Sequence, residues 1–571
     1  MIVSRSARGL ILTSLSCVAF ACVARREEPA DLVIRHAKIW TADAARPRAE
    51  AVAVRGERIA WVGSDADAGR FVAASTRVVD AGGRLLLPGF IDSHNHITFG
   101  DDPDVVQLFG ATAFDDLTAR ISDFAAAHPD LPWIEGEGWN YSVIRGGTLP
   151  TARDLEGLTG GRPAFLVSYD AHTVWLNREA IARLGIGRGT ERLPFGEVER
   201  DSRTGLPTGI LKSFATLGLS AAGQARLETI LPSHSDERRA ACLRRNLESA
   251  ARYGITTVVE PQAFVEDMPL FERARDGDGP QPRLQIALFH PRGTTEADLG
   301  RFEEARRRYD DDRLRVAAIK LYIDDVIEPH TAAMIEPYAD HPGSRGETLY
   351  PPEEFKEVVT RIDRMKFQMF IHAIGDRGIR TALDALQAAR AANGPRDSRH
   401  ELVHVECLDA ADLPRFKDLG VTACMQPRHL APDISWAWAA AVGEERMRCA
   451  WVFKSLRDAG AVLAFASDWN VAEMDPLIGI YTALTRQGLD GRPEGGWIPE
   501  QRIDLETALR GYTIQGAWAN FSEVNRGSIT PGKYADLVLI SDDLFAVPSD
   551  KIKDARAVLT IIGGREAHRA F

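Results

Sequence analysis

Short hydrophobic runs alternate with amphipathic stretches through the middle of this 571-residue chain. We predict eight β-strands from these runs, at 86–93, 256–260, 283–289, 316–323, 368–374, 402–406, 421–426 and 462–467. Helical periodicity fills most of the intervals, most clearly at 240–253, 296–309, 353–366, 377–392 and 410–419. Eight strands that alternate with helices predict an α/β protein built on a (β/α)8 TIM barrel, with a barrel domain at 85–521.

The two ends of the chain have a different pattern, in which short β segments follow one another around glycine-containing turns. We expect residues 22–84 and 522–571 to form one small β-sandwich from both chain ends. The interval between the first two barrel strands is much longer than a single helix requires. It predicts an inserted subdomain at about 110–225, with a helix at 112–127, placed at the mouth of the barrel where it would shape a substrate pocket.

The first residues have the pattern of an export signal. Arg5 and Arg8 precede an apolar run at 10–21 that is too short to span a bilayer, so we predict a signal peptide at 1–21. Ala19-Phe-Ala fits a cleavage site and leaves Cys22 first, as in a bacterial lipoprotein, although such signals usually carry leucine in place of Ala19. Export to the periplasm or cell envelope is predicted, with either a lipid anchor at Cys22 or ordinary secretion.

Composition narrows the class of protein. Hydrophobic residues make up 45% of the chain and charged residues 26%, which is typical of a soluble globular protein. The net charge of −12 gives no support to nucleic acid as a partner. The cysteines have neither zinc-finger spacing nor a pattern that indicates a disulfide framework. We therefore interpret Cys407 and Cys424 as small buried side chains.

Ionisable residues recur at the carboxyl ends of the predicted strands, where TIM barrels place their chemistry. They are His94 and His96 after strand one, Lys320 in strand four, His372 in strand five, His404 in strand six and Asp468 after strand eight. Six such groups in one buried space would be costly without a compensating partner. A metal centre is the partner that this set of side chains indicates.

The motifs resemble those of the amidohydrolase superfamily and, within it, amidohydrolase family 3, the YtcJ-like proteins. The resemblance rests on Pro88-Gly-Phe-Ile-Asp-Ser-His-Asn-His, on the Lys320 strand, on His372-Ala-Ile-Gly-Asp, on His404-Val-Glu and on Ser467-Asp-Trp. It covers nearly the whole chain from Asp31 onward. One departure is Asp325, where many members have glycine, and it bears on the shape of the pocket.

The resemblance implies a ligand set. His94, His96 and Asp468 would bind one divalent metal, and His372 and His404 a second. Lys320 would be carboxylated and would bridge the two ions, because an ammonium is repelled by two cations whereas a carbamate is an anionic oxygen ligand. The alternative is an unmodified lysine in a one-metal enzyme. Zinc suits a histidine-rich site best.

The resemblance also implies functional roles. Asp468 would act as general base and then acid, and His172 would bind the substrate or the oxyanion, unless it is a surface loop residue. Further candidates for the substrate-binding wall are Tyr322, Glu260, Arg428 and His429.

We predict a hydrolase that cleaves the carbon–nitrogen bond of a small non-peptide amide. One alternative is an esterase, lactonase or cyclic-amide hydrolase with the same metal centre. Another is an inert binding protein of the cell envelope. The substrate would be a small molecule in either enzymatic case, and the oligomeric state is left open, with a homodimer as one option.

Overall fold

The computed structural model describes residues 28–571 except 101, 112, 142–148, 218–219 and 233. The predicted signal peptide and Cys22 lie outside these residues. Among the helices that are described, none combines the length and apolar character that crossing a bilayer would need.

Eight parallel strands form the central barrel, and each one pairs with its neighbour in chain order. They are β1 (Phe90–Asp92), β2 (Ile255–Ala263), β3 (Arg283–Phe289), β4 (Leu314–Tyr322), β5 (Gln368–Ala373), β6 (Glu401–His404), β7 (Thr422–Met425) and β8 (Val462–Phe465). The last and first strands meet through the Ser93 amide, which donates to the Phe465 carbonyl at 3.2 Å, and the Asp468 amide, which donates to the His94 carbonyl at 2.8 Å. The predicted (β/α)8 barrel is confirmed.

The predicted first strand at 86–93 is wrong in one respect, because it consists of two strands in different sheets. Leu85–Pro88 pairs with Leu537–Ile540 in the sandwich, and only β1 belongs to the barrel. Gly89 separates them. A Cβ at Gly89 would lie 2.3 Å from the side chain of Thr256, so only glycine lets the chain change sheets here. Both halves are apolar because both are buried.

Amphipathic helices cover the outside of the barrel. In Pro352–Arg364, for example, Phe355, Val359 and Ile362 are buried, at the i, i+4 and i+7 spacing of one helical face. Each such side chain contributes about 1.5–3 kcal/mol when fully buried. The other main helices around the barrel are Asp236–Arg252, Met268–Arg275, Glu296–Arg308, Asp376–Asn393, Leu413–Leu419, Pro432–Val442, Phe453–Asp458, Pro476–Thr485, Leu505–Gly511 and Ile514–Ala519.

Both chain ends contribute to a β-sandwich beside the barrel. One sheet contains, in order, Arg58–Gly63, Ala51–Arg55, Leu32–Arg35 and Arg77–Asp80, and the other contains Arg565–Arg569, Ala557–Ile562, Leu537–Ile540, Leu85–Pro88, Lys38–Trp40 and Arg48–Ala49. Residues from the two sheets share a core that includes Ile34, Val54, Leu86 and Leu559. The Arg283–Asp536 ion pair, at 2.8 Å and buried on both sides, links β3 to the sandwich.

The segment between β1 and β2 forms a separate seven-stranded sheet with its own apolar clusters. In sheet order its strands are Arg192–Leu193, Gly196–Arg200, Pro207–Lys212, Val174–Leu176, Ala164–Ser168, Ile134–Trp139 and Val106–Gln107. The helix Phe114–Ala127 packs against it, near the predicted 112–127. The turn that follows Ala164–Ser168 carries His172 to the barrel.

The interpretation of Cys407 as an unpaired buried side chain is wrong, because Cys407 forms a disulfide with Cys449. Cys407 lies just after β6, and Cys449 lies 42 residues further along, in the segment that leads to Trp451. The Trp451 amide donates to the Glu406 carbonyl at 2.9 Å, so the same two segments are also joined through their backbones. Cys424 is buried and free, as expected.

Candidate metal centre and substrate pocket

The carboxylate of Asp468 is the point on which the histidines converge. His94 Nε2 lies 3.5 Å and His96 Nε2 lies 3.4 Å from Asp468 Oδ1, and His404 Nδ1 lies 3.6 Å from Asp468 Oδ2. His94, His404 and Asp468 are all buried, and each offers a ligand atom within 4.8 Å of the others. Side chains from β1, β6 and β8 thus meet at the carboxyl end of the barrel.

The backbone at this end is held in unusual conformations. His94 and His96 lie in the bend after β1 rather than in the strand, and the His96 amide donates to the Trp469 carbonyl at 2.7 Å. His404, Val405 and Asp468 have φ values of 77°, 50° and 58°. Residues other than glycine adopt this left-handed region at a cost and do so mainly at functional sites.

Lys320 lies on β4 beneath this centre and is completely buried. Its Nζ lies 3.4 Å from His94 Nε2. Burial lowers the pKa of Lys320 to about 8, which increases the fraction of neutral amine at neutral pH. A neutral amine is the form that reacts with CO2. Burial also lowers the pKa of His94, with a further contribution from Lys320, so that imidazole is neutral and suited to metal binding.

His372 occupies the adjacent position on β5. Its ring lies 4.5 Å, between centroids, from that of His404, and its Nε2 lies 3.3 Å from the Asp325 carbonyl oxygen. Tyr322 stacks on His372 at 4.6 Å, and its hydroxyl donates to Gln262. Tyr322 therefore fixes the orientation of His372.

His172 reaches the barrel from the inserted subdomain and is buried, not a surface residue. Its Nδ1 forms a short ion pair with Asp325, and its ring centroid lies 5.4 Å from that of His372. Burial alone would lower the pKa of His172, but the Asp325 carboxylate raises it above the usual value. The Asp325 carboxylate therefore favours the protonated form of this imidazole beside the metal-ligand set.

A pocket of about 390 Å³, counted with its open mouth, lies above these residues. It is lined by Tyr169, Asp170, His172, Val326, Glu328, His372, Ile374, His404, Glu406, His429, Trp451, Asp468 and Val471. Two of the residues predicted to bind substrate, His172 and His429, are therefore in this lining. The other predicted wall residues lie elsewhere: Tyr322 is under His372, Glu260 Oε1 is 3.7 Å from His96 Nδ1, and Arg428 donates to Glu473 at 2.8 Å.

Several pocket residues were missed by sequence reasoning, chiefly Asp170, Glu328 and Glu406. Two of them stand two positions from a recognised histidine, Asp170 before His172 and Glu406 after His404, and this spacing was the available signal. Glu328 lies in the long segment after β4, and no motif marks it.

The donor set fits a divalent metal. Among the described residues, His94 Nδ1 and Asp468 Oδ1 are buried without a hydrogen-bond partner. Buried polar atoms are nearly always satisfied, so a carboxylate oxygen that has no hydrogen-bond partner and is surrounded by imidazole nitrogens fits the ligand set of a cation. Imidazoles and a carboxylate are preferred zinc ligands.

Comparison with known proteins identifies the family. Residues 77–568 match the model of the Amidohydrolase family. The chain is 30% identical over 553 residues to Protein LONG AFTER FAR-RED 3 of Arabidopsis thaliana, covering 94% of this chain and 92% of that one. It is 27% identical over 550 residues to the N-substituted formamide deformylase of Arthrobacter pascens, covering 94% and 97%.

The fold is also that of a solved protein. An uncharacterized metal-dependent hydrolase from Pyrococcus horikoshii superimposes with a TM-score of 0.69 at 21% identity, covering 91% of this chain and 99% of that one. The resemblance inferred from the motifs is confirmed. The chain belongs to the amidohydrolase family and is a hydrolase of carbon–nitrogen bonds.

Proposed function

We propose that this protein is an exported, metal-dependent amidase that cleaves small linear N-formyl or N-acyl amines. The observation that carries the proposal is the convergence of His94, His96, His404 and Asp468 above the buried Lys320, directly beside an open pocket. The similarity over nearly the full chain to a formamide deformylase supports the substrate class.

The residues divide into two metal positions. His94, His96 and Asp468 would hold one divalent ion, and His372 and His404 a second, with carboxylated Lys320 between them. When bound, zinc at this centre supplies Lewis acidity toward the scissile carbonyl and toward water. The lowered pKa of Lys320 supports its carboxylation, since the amine must lose its proton first.

Asp468 is the proton carrier in this proposal. Burial would raise the pKa of Asp468, but the nearby His96 and His429 imidazoles lower it, so the carboxylate is ionised and able to accept a proton. Asp468 takes a proton from the attacking water and delivers it to the leaving nitrogen. The water oxygen bonds to the carbonyl carbon and the C–N bond breaks, which yields a carboxylic acid and an amine.

His172 stabilises negative charge. As a buried cation paired with Asp325, it can donate a hydrogen bond to the carbonyl oxygen when that oxygen becomes negative. Removal of one such donor typically lowers turnover about 10²- to 10³-fold.

The test is a screen of zinc-loaded protein on matched compounds that differ only at the scissile bond: an N-alkylformamide, the corresponding N-acetylamine, the formate ester and a lactone. Release of the amine, quantified by chromatography, is expected to be fastest with the amides. Faster cleavage of the ester or lactone would favour an esterase or lactonase. Hydrolysis of none by metal-loaded protein would favour an inert binding protein.

Two observations support the proposal that the protein is exported. One is the leader at 1–21, and the other is the Cys407–Cys449 disulfide, since disulfides persist mainly in oxidising compartments. Cell fractionation of the full chain tests this, and the variant Cys22→Ser separates the two forms. A lipid-anchored protein would move from the detergent phase to the aqueous phase on this substitution, whereas a secreted one would not change.

A further inference from the structure

Three carboxylates that are not among the proposed metal ligands line the substrate pocket. We refer to Asp170, Glu328 and Glu406 as the acidic wall; all three line the pocket. They come from separate parts of the chain: the turn of the inserted subdomain, the segment after β4 and the residues after β6. Their meeting is therefore a product of the tertiary fold and not of a local acidic run.

The acidic wall is only partly neutralised. Glu328 Oε1 accepts a hydrogen bond from the Tyr169 hydroxyl at 3.0 Å. Asp170 Oδ1 accepts hydrogen bonds from the His172 amide at 3.0 Å, from the Tyr141 hydroxyl at 3.3 Å and from the Ser168 hydroxyl, so Asp170 is the best satisfied of the three. The contact between Glu406 Oε1 and His429 Nδ1 is 3.9 Å, beyond hydrogen-bond distance. No lysine or arginine is among the residues that line the described pocket. Burial and the neighbouring Glu406 charge raise the pKa of Glu328 to about 8.

Two other polar groups at the same pocket lack a hydrogen-bond partner among the described residues. The Trp451 indole Nε1 and the His429 Nε2 are buried, and neither forms a hydrogen bond to any described residue. Trp451 is 1% exposed and Glu406 is 7% exposed. Buried polar atoms of this kind are normally satisfied, so a ligand that occupies the pocket would complete them. The indole N–H can only donate, so it would take an acceptor atom of the substrate and not a cationic group.

We propose that Glu328 and Glu406 form a subsite for a positively charged group of the substrate, so that the enzyme acts on amides that carry a primary ammonium away from the scissile bond. This rests on the proposed amidase function at the same site. An ammonium has three donors, which matches several carboxylate oxygens better than a guanidinium fork that needs one aligned carboxylate.

His429 lies between Asp468, the proposed proton carrier, and Glu406 of the acidic wall. Its Nε2 lies 3.7 Å from Asp468 Oδ2, and its Nδ1 lies 3.9 Å from Glu406 Oε1. One imidazole therefore separates the proton carrier from the acidic wall. A short alkyl chain between the amide and the ammonium would span this gap, which favours the formamide of a linear diamine over an amide with its charge next to the scissile bond.

The experiment compares N-(4-aminobutyl)formamide with N-pentylformamide, in which a methyl group replaces the ammonium. Turnover of both by zinc-loaded protein is measured, and binding of both is measured by calorimetry on the metal-free full chain. We expect the cationic compound to have the lower KM and the tighter binding, by about 10- to 100-fold, the range that one hydrogen bond to a charged group supplies.

The variant Glu328→Gln keeps the shape of the side chain and removes the carboxyl group, whose ionised form a bound ammonium would favour. It is expected to abolish most of the preference, measured as the ratio of the KM values of the two compounds, and circular dichroism and the thermal unfolding temperature show whether the variant is folded. Glu336→Gln is the matched control, because Glu336 lies at the surface 3.9 Å from Arg345. It should retain the full preference.

Equal KM and equal binding for the two compounds would overturn the subsite and leave the amidase function intact. Failure to cleave either compound, together with tighter binding of the cationic one, would overturn the amidase function and support the subsite. A preference that Glu328→Gln and Glu336→Gln both retain would also overturn the assignment.

Discussion

The ion pair between His172 and Asp325 offers a direct test of how the inserted subdomain contributes to catalysis. Both side chains are buried, and Asp325 holds the pKa of His172 above its usual value. The substitution Asp325→Asn keeps the size of the side chain and removes the charge. A hydrogen bond to a charged group contributes about 1.5–3 kcal/mol, and one pKa unit corresponds to 1.36 kcal/mol, so the pKa of His172 should fall by about one to two units.

The expected pH dependence of kcat follows from the raised pKa of His172. The imidazolium is present below its raised pKa, so activity that depends on this cation is lost as the pH rises through that value. In Asp325→Asn the alkaline loss of kcat should therefore begin about one to two pH units lower than in the wild type. The assay is the pH profile of kcat on an N-alkylformamide, with the metal content of each protein measured alongside.

The matched control is the exposed pair of His330 and Asp340, whose side chains lie 2.9 Å apart outside the pocket. Asp340→Asn should leave the pH profile of kcat unchanged. An alkaline limb that is the same in Asp325→Asn and in the wild type would refute the assignment of His172 as a cationic donor.

Three further outcomes are expected. Asp468→Asn should abolish turnover while most of the metal is retained, and substantial remaining turnover would exclude Asp468 as the proton carrier. Asp536→Ala should lower stability by about 3–5 kcal/mol because it leaves the Arg283 guanidinium buried without its carboxylate; an unchanged thermal unfolding temperature would contradict this. Replacing Cys407 and Cys449 by alanine should cost about 4 kcal/mol from the loop that their disulfide closes, and equal urea midpoints for the oxidised wild type and the variant would contradict it.

Much of the barrel could be predicted from the sequence because its signals are local. Each strand is a short apolar run and each helix has one apolar face, as Pro352–Arg364 shows. The ionisable residues were found because parallel strands bring their carboxyl ends together. The prediction of one strand at 86–93 was wrong because a local signal cannot tell the two sheets apart. A strand buried in the sandwich and one buried in the barrel have the same apolar pattern. Only the crowding of Gly89 against Thr256 separates them.

The features that were missed depend on contacts between distant segments. The partners Cys407 and Cys449 are 42 residues apart, and His172 and Asp325 are 153 residues apart. Neither spacing is a motif, so neither pair can be found without the fold. Arg428, in contrast, was predicted to line the pocket from its position in the sequence, and it does not. It stands after β7 at the correct end of the barrel, but its guanidinium is paired with Glu473 and is not among the groups that line the pocket.

Metal analysis tests the central claim most directly. The wild-type protein, purified after expression in zinc-supplemented medium and freed of loose ions by gel filtration, should contain one or two zinc ions per chain. His404→Ala should contain less zinc, and Glu336→Gln should match the wild type. Folded wild-type protein that holds no divalent metal would contradict the assignment of this site as a metal centre.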